Sequence, residues 1–119
     1  MLNHIGVRVK NLSELVGIFF TTGEQVQSIS NTCTLHDNHF YPDSRIELWL
    51  YRTCIARITK DGKLFITYGE YGNSMTTSKR LNTILKDSSL NLSREKIAHY
   101  TKLAREKKPN EVEIIEYKK

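Results

Sequence analysis

The chain has 119 residues, 39% of them apolar and 26% charged, with one Trp and ten Phe and Tyr residues, a composition that excludes a disordered chain. The length suits a single domain, residues 1–119, with one modest core. The formal charge of +5 is uneven: residues 1–78 balance seven Lys and Arg against seven Asp and Glu, residues 79–108 carry nine against three, a net of +6, and the last eleven sum to −1.

Met1 and the residues after it contain no apolar run of export-signal length, and no stretch approaches the roughly 20 apolar residues of a membrane span. A cytoplasmic protein is expected, with Cys33 and Cys54 as free thiols. In chain order, Ile5, Val7 and Val9 alternate with polar neighbours and predict a half-buried strand. Ser13 is placed to cap a short helix over residues 14–20, although Val16, Ile18, Phe19 and Phe20 also suit a strand. Val26, Ile29, Cys33 and Leu35 could lie on a strand, but residues 34–43 are rich in turn formers and read as a loop that ends at a Pro.

The pattern then sharpens. Ile46, Leu48 and Leu50 alternate with Glu47, Trp49 and Tyr51, and after a bend near Arg52 the residues Cys54, Ala56 and Ile58 alternate in the same way. Asp61-Gly62 predicts a tight type I′ hairpin, with Leu64, Ile66 and Tyr68 on the returning strand. Ser74 or Thr76 is expected to cap a helix running to about Lys86, with Thr77, Leu81, Ile84 and Leu85 inward. Ser93 caps a second helix, Leu92 and Ile97 have the spacing of a hydrophobic staple, and Lys107-Lys108 followed by Pro109-Asn110 ends it. The connection over residues 87–92 is too long for a helix-turn-helix and lacks Gly, so an antiparallel helical hairpin against the sheet is expected. Residues 112–117 read as a final strand on a sheet edge, available for pairing with another copy. The predicted fold class is α+β: an antiparallel β-meander with a C-terminal helical hairpin and a final edge strand.

The basic segment carries the main candidate for chemistry. At 100° per residue, Ile97, Tyr100 and Ala104 share one side of the second helix, while Arg94, Ala98, Lys102 and Arg105 share the next. Three cations around a small Ala would let a phosphate backbone come close, and Lys79 and Arg80 near the start of the first helix would add contacts. Lys79, Arg80, Arg94, Lys102 and Arg105 are therefore the predicted nucleic-acid-binding residues. The competing reading is a solvated charged face or an acidic protein partner.

Two weaker constellations are present. Cys33, His36 and His39 are zinc-type ligands within seven residues, but the second ligand pair of a structural site is missing and no metal site is predicted. Asp43 and Glu47 resemble the acidic pair of a metal-dependent nuclease, yet Trp49 stands where such sites place a Lys. With no P-loop, nucleophile elbow or dinucleotide fingerprint, neither an enzyme nor a cofactor is expected.

Leu50-Tyr51-Arg52-Thr53-Cys54-Ile55-Ala56, followed by Tyr71-Gly72-Asn73-Ser74-Met75-Thr76-Thr77-Ser78-Lys79, resembles a module of small bacteriophage accessory proteins. That module pairs a Y-x-T-x-I-A strand with a downstream Y-S-x-T-T-S-K-H segment. The resemblance covers about 30 of the 119 residues, and it departs where Gly72-Asn73 separate Tyr71 from Ser74 and where Arg80 replaces the His. It implies a viral accessory protein in the host cytoplasm, without a defined activity. Its partner would be nucleic acid or a host protein complex, such as a defence nuclease or the transcription machinery, that it inhibits or modulates. The hydroxyls of Ser74, Thr76, Thr77 and Ser78 suit helix capping, or an anion site completed by Lys79.

Overall fold

A computed structural model describes residues 7–8, 12–21, 28–30, 33–36, 41–70, 75–87 and 90–117. In chain order the elements are β1 (Val7–Arg8), α1 (Leu12–Thr21), β2 (Ser28–Ser30), β3 (Cys33–His36), β4 (Ser44–Leu50), β5 (Thr53–Thr59), β6 (Leu64–Ile66), α2 (Met75–Lys86), α3 (Arg94–Lys107) and β7 (Val112–Glu113). The strands form one sheet in sequence order, with β1 parallel to β2 and every other pair antiparallel. The α+β meander, the C-terminal helical hairpin and the final edge strand are thus all present.

Pairing register divides the sheet into two unlike faces, because successive side chains point to opposite sides. Leu35 faces Leu48, Leu48 faces Ala56, Ile46 faces Ile58, Ala56 faces Ile66 and Ile66 faces Val112. These apolar pairs pack against Leu15, Val16 and Phe19 of α1, Leu81, Ile84 and Leu85 of α2, and Tyr100 and Ala104 of α3 in one core. The other face carries Glu47 opposite Arg57, Arg57 opposite Phe65 and Phe65 opposite Glu113.

Several local expectations are corrected. The helix expected over residues 14–20 is present and spans 12–21, and the strand alternative falls, because Leu15, Val16 and Phe19 reach the core together only at helical spacing. The helix begins at Leu12, so Ser13 lies inside its first turn and is not the cap. The first part of the expected loop over residues 34–43 is strand β3, held by pairing of Thr34, Leu35 and His36 with Trp49, Leu48 and Glu47. The hairpin at Asp61-Gly62 is not type I′. Only Gly62 has positive φ, at 88°, and its amide donates to the Thr59 carbonyl at 3.0 Å while the Thr59 amide donates to the Lys63 carbonyl at 2.8 Å. This is a three-residue loop, and Thr59 Oγ1 braces it by accepting from the Lys63 amide at 2.9 Å. Thr76 lies within α2, and Ser74 lies outside the described residues. The first strand is seen only at Val7–Arg8; Ile5 and Val9 lie outside the described residues.

At α3 the expected cap is in place, with Ser93 Oγ accepting from the Lys96 amide at 3.1 Å. Leu92 and Ile97 are both half-buried against the core, as a staple requires. The final strand is shorter than expected: β7 ends at Glu113, and the chain turns so that the Tyr117 amide donates to the Ile114 carbonyl. The segment 109–117 is tied down along its length. Thr67 Oγ1 lies 3.2 Å from the Pro109 carbonyl and 3.1 Å from that of Asn110, and the Ile114 amide donates to the Leu64 carbonyl at 2.8 Å. Glu116 accepts from Lys96 Nζ at 2.6 Å and from the Tyr100 hydroxyl.

Candidate nucleic-acid interface

Helices α2 and α3 run as a hairpin and enclose a groove of about 730 Å³ on their outer side. From α2 it is lined by Ser78, Asn82 and Lys86, a stripe repeating every four residues; from α3, by Arg94, Ile97, Ala98, Thr101, Lys102 and Arg105. The stripe on α2 lies beside the buried side formed by Thr77, Leu81, Ile84 and Leu85. On α3 the buried side is Tyr100, Thr101 and Ala104, which turns the exposed Arg94, Lys102 and Arg105 toward the groove.

The antiparallel course sets the chemistry of each end. Lys86 closes α2 where Arg94 opens α3, so two cations share one mouth. In the middle, Thr101 Oγ1 lies 2.9 Å from both Asn82 Oδ1 and the Ile97 carbonyl, with one proton to donate to either, and the contact with Asn82 links the two helices across the groove. At the far end the Tyr68 hydroxyl shares a short hydrogen bond with Ser78 Oγ. Arg105 Nη2 reaches that hydroxyl at 3.5 Å, with its guanidinium carbon 5.7 Å from the ring centroid. Arg105 is thereby held in position by an uncharged partner.

Of the five predicted residues, Arg94, Lys102 and Arg105 come together in this groove. Lys79 is exposed and lies one position round α2 from Ser78, beside the groove without lining it. Arg80 does not join them. A further 100° takes it beyond the groove to the far flank of the helix, where its Nε is buried with no hydrogen-bond partner among the described residues. Lys86 is the cation that residue-by-residue reading missed, although the 78, 82, 86 spacing marks it. Of the nine Lys and Arg between residues 79 and 108, only Lys96 pairs with a carboxylate among the described residues, and it faces Glu116 rather than the groove.

The opposite side of the sheet holds the other cluster of charges. Arg57, only 7% exposed, donates through Nε and Nη2 to both oxygens of Glu111, at 2.8 and 3.0 Å. Its Nη1 donates to Asp43 and Ser44 at 3.0 Å each, and its guanidinium lies against the rings of Tyr41 and Phe65. Burial opposes the charge, but Glu111 and then Asp43 outweigh it and hold Arg57 above its ordinary pKa. Glu47 is fully buried, accepting from Trp49 Nε1 and from the Tyr41 amide at 2.9 Å each. Asp43 and Glu47, the acidic pair considered from sequence, thus serve separate partners, and Trp49 satisfies the carboxylate beside it.

A second cavity of about 400 Å³ on this side is lined in part by Trp49, Cys54, Glu70 and Glu111. The Cys54 thiol donates to the Ala56 carbonyl at 3.3 Å, and burial, then the charges of Glu47 and Glu111, push its pKa up. It is therefore a poor nucleophile. Among the described residues no cluster of His, Cys, Asp or Glu could hold a metal; Cys33 and His36 stand at the two ends of β3, and His39 lies outside the described residues. No described helix is long and apolar enough to cross a membrane. The chain matches no protein-family model, no curated protein and no solved structure.

Proposed function

We propose that the outer face of α2 and α3 binds the phosphate backbone of nucleic acid, with Lys86, Arg94, Lys102 and Arg105 as the principal contacts and Lys79 beside them. One observation carries the reading: these cations converge on one groove, and none has a carboxylate within ion-pair distance among the described residues. A structural helix face that only needed solvation would gain by pairing some of them; an interface for polyanions leaves them free. Each phosphate neutralised releases condensed counterions, so four contacts give a plot of log affinity against log salt with a slope of about −3 to −4.

The test is a fluorescence titration with labelled DNA and RNA at several salt concentrations. Binding near 50 mM salt with that slope is the expected result, and a double substitution Arg94→Ala, Lys102→Ala should flatten the slope by about 1.5 to 2. Arg80→Ala should leave the slope unchanged, since Arg80 stands away from the groove. Absence of affinity for either nucleic acid at about 50 mM salt, where phosphate contacts are strong, would end the proposal.

A second reading, a phage protein that docks on a host protein complex, is favoured by Tyr51. This ring is 64% exposed at the tip of the β4–β5 hairpin, with φ at 56°. A bulky residue in the left-handed region is strained, and exposed aromatic side chains are common interface anchors. Trp49 and Tyr68 do not extend the patch, being half-buried and fully buried. Affinity purification from nuclease-treated host lysate tests it: a stoichiometric protein partner lost on Tyr51→Ala supports this reading, and none counts against it.

A further inference from the structure

The groove is larger than phosphate contacts alone require: its volume of about 730 Å³ falls within the range of sites that take a flat organic group. Besides its cations the groove is lined by the apolar Ile97 and the exposed Ala98, together with the uncharged Ser78, Asn82 and Thr101. Arg94 and Arg105 stand eleven residues apart on one side of α3, about 16 Å at the helical rise. A ligand with an apolar, planar body and regularly spaced negative charges matches this arrangement.

We propose that the groove accepts unpaired bases, so that the protein binds single-stranded nucleic acid in preference to duplex; this rests on the phosphate-binding reading above. In a duplex the bases are stacked inside and only phosphates and groove edges reach a protein, and extracting a base costs a few kcal/mol. A single strand offers both at once, phosphates to Lys86, Arg94, Lys102 and Arg105 and bases to the uncharged lining. Two features suit a base there. Arg guanidinium planes serve as stacking platforms for unpaired bases, and Arg105 is already oriented by Tyr68. Asn82, whose side-chain amide lies 2.9 Å from the Thr101 hydroxyl, is part of the groove lining and brings a group able to donate to or accept from a base edge.

The experiment compares a labelled 12-nucleotide single strand with the duplex of the same sequence at one salt concentration, using the whole chain and a groove-filling variant, Ala98→Leu. Ala98 is exposed on α3, and Leu is a good helix former, so an unchanged melting temperature can verify the fold. The parent is expected to bind the single strand at least tenfold more tightly than the duplex. Ala98→Leu should lower single-strand affinity about tenfold, and duplex affinity, which the added bulk touches only through the approach of phosphates, by about threefold at most. Equal affinities for the two forms, or an Ala98→Leu variant that binds the single strand as the parent does, would overturn base insertion and leave phosphate binding standing. Binding of neither form overturns both proposals together.

Discussion

Replacing Arg57 with Met keeps an apolar stem in place and removes the guanidinium with its charge. In the native protein the guanidinium makes two hydrogen bonds to Glu111, one to Asp43 and one to Ser44. The Asp43 side chain is 66% exposed, so that contact is screened and contributes little; Glu111, at 22%, is mostly covered and would be left without its partner. Breaking a fully buried pair costs about 3–5 kcal/mol, and the partial access of water to Glu111 brings the expected loss to about 2–3 kcal/mol. The guanidinium carbon also lies 4.4 Å from the Tyr41 ring centroid and 5.0 Å from that of Phe65, and Met, which ends short of that atom, gives up part of this contact as well. Urea unfolding followed by Trp fluorescence measures it. With a slope of about 1.5 kcal/mol per molar, the midpoint should fall by about 1.5–2 M. Glu111→Gln and the double variant complete a cycle whose coupling should be about 1–2 kcal/mol. A loss below about 0.5 kcal/mol, or coupling near zero, would refute the assignment of Arg57–Glu111 as the fastening between sheet and C-terminal segment.

Gly69 has φ at 60°, and a Cβ there would lie 2.3 Å from the Thr53 methyl, so Gly69→Ala should cost about 2 kcal/mol in urea unfolding. Adding Thr53→Ser should restore roughly half by removing that methyl; a neutral Gly69→Ala would show that the backbone is not so confined. Burial, then the hydrogen bond and charge of Glu116, raise the Tyr100 phenol to about 12. Between pH 10 and 12 the folded chain keeps a proton that the unfolded chain loses, so stability present below pH 10 falls across that window. Tyr100→Phe should flatten the decline in urea midpoints over that range; an unchanged decline would assign it to another group. Cys54, whose thiol is raised by burial, should resist iodoacetamide at pH 8 in the native protein and react in urea, as read by peptide mass spectrometry. Complete native labelling within minutes would contradict its burial.

The centre of the fold was legible because its signals are local. Alternation over β4 and β5 follows from one apolar sheet face, and α3 announces itself through the Ser93 cap and helical spacing. What was not legible depends on partners distant in sequence. Turn-forming residues conceal β3, which exists because β4 pairs with it. The hairpin at Gly62 takes a wider form because the Thr59 hydroxyl stabilises it, a contribution that the Asp-Gly pair does not reveal. Arg57 meets Glu111 across 54 residues with no local signature. In the candidate site, proximity in sequence misled: Lys79 and Arg80 are adjacent in the chain yet point to different sides of α2. Lys86, four residues beyond Asn82, belongs with cations on the other helix.

The segment 109–117 does more than complete an edge of the sheet. Thr67, Arg57 and Leu64 grip it from the sheet, while Lys96 and Tyr100 grip it from α3. It acts as a strap passing under one helix of the groove. A cut between residues 108 and 111 would separate the strap from α3 in the chain and leave the two joined through side chains such as Lys96 and Tyr100, which meet Glu116 from the helix.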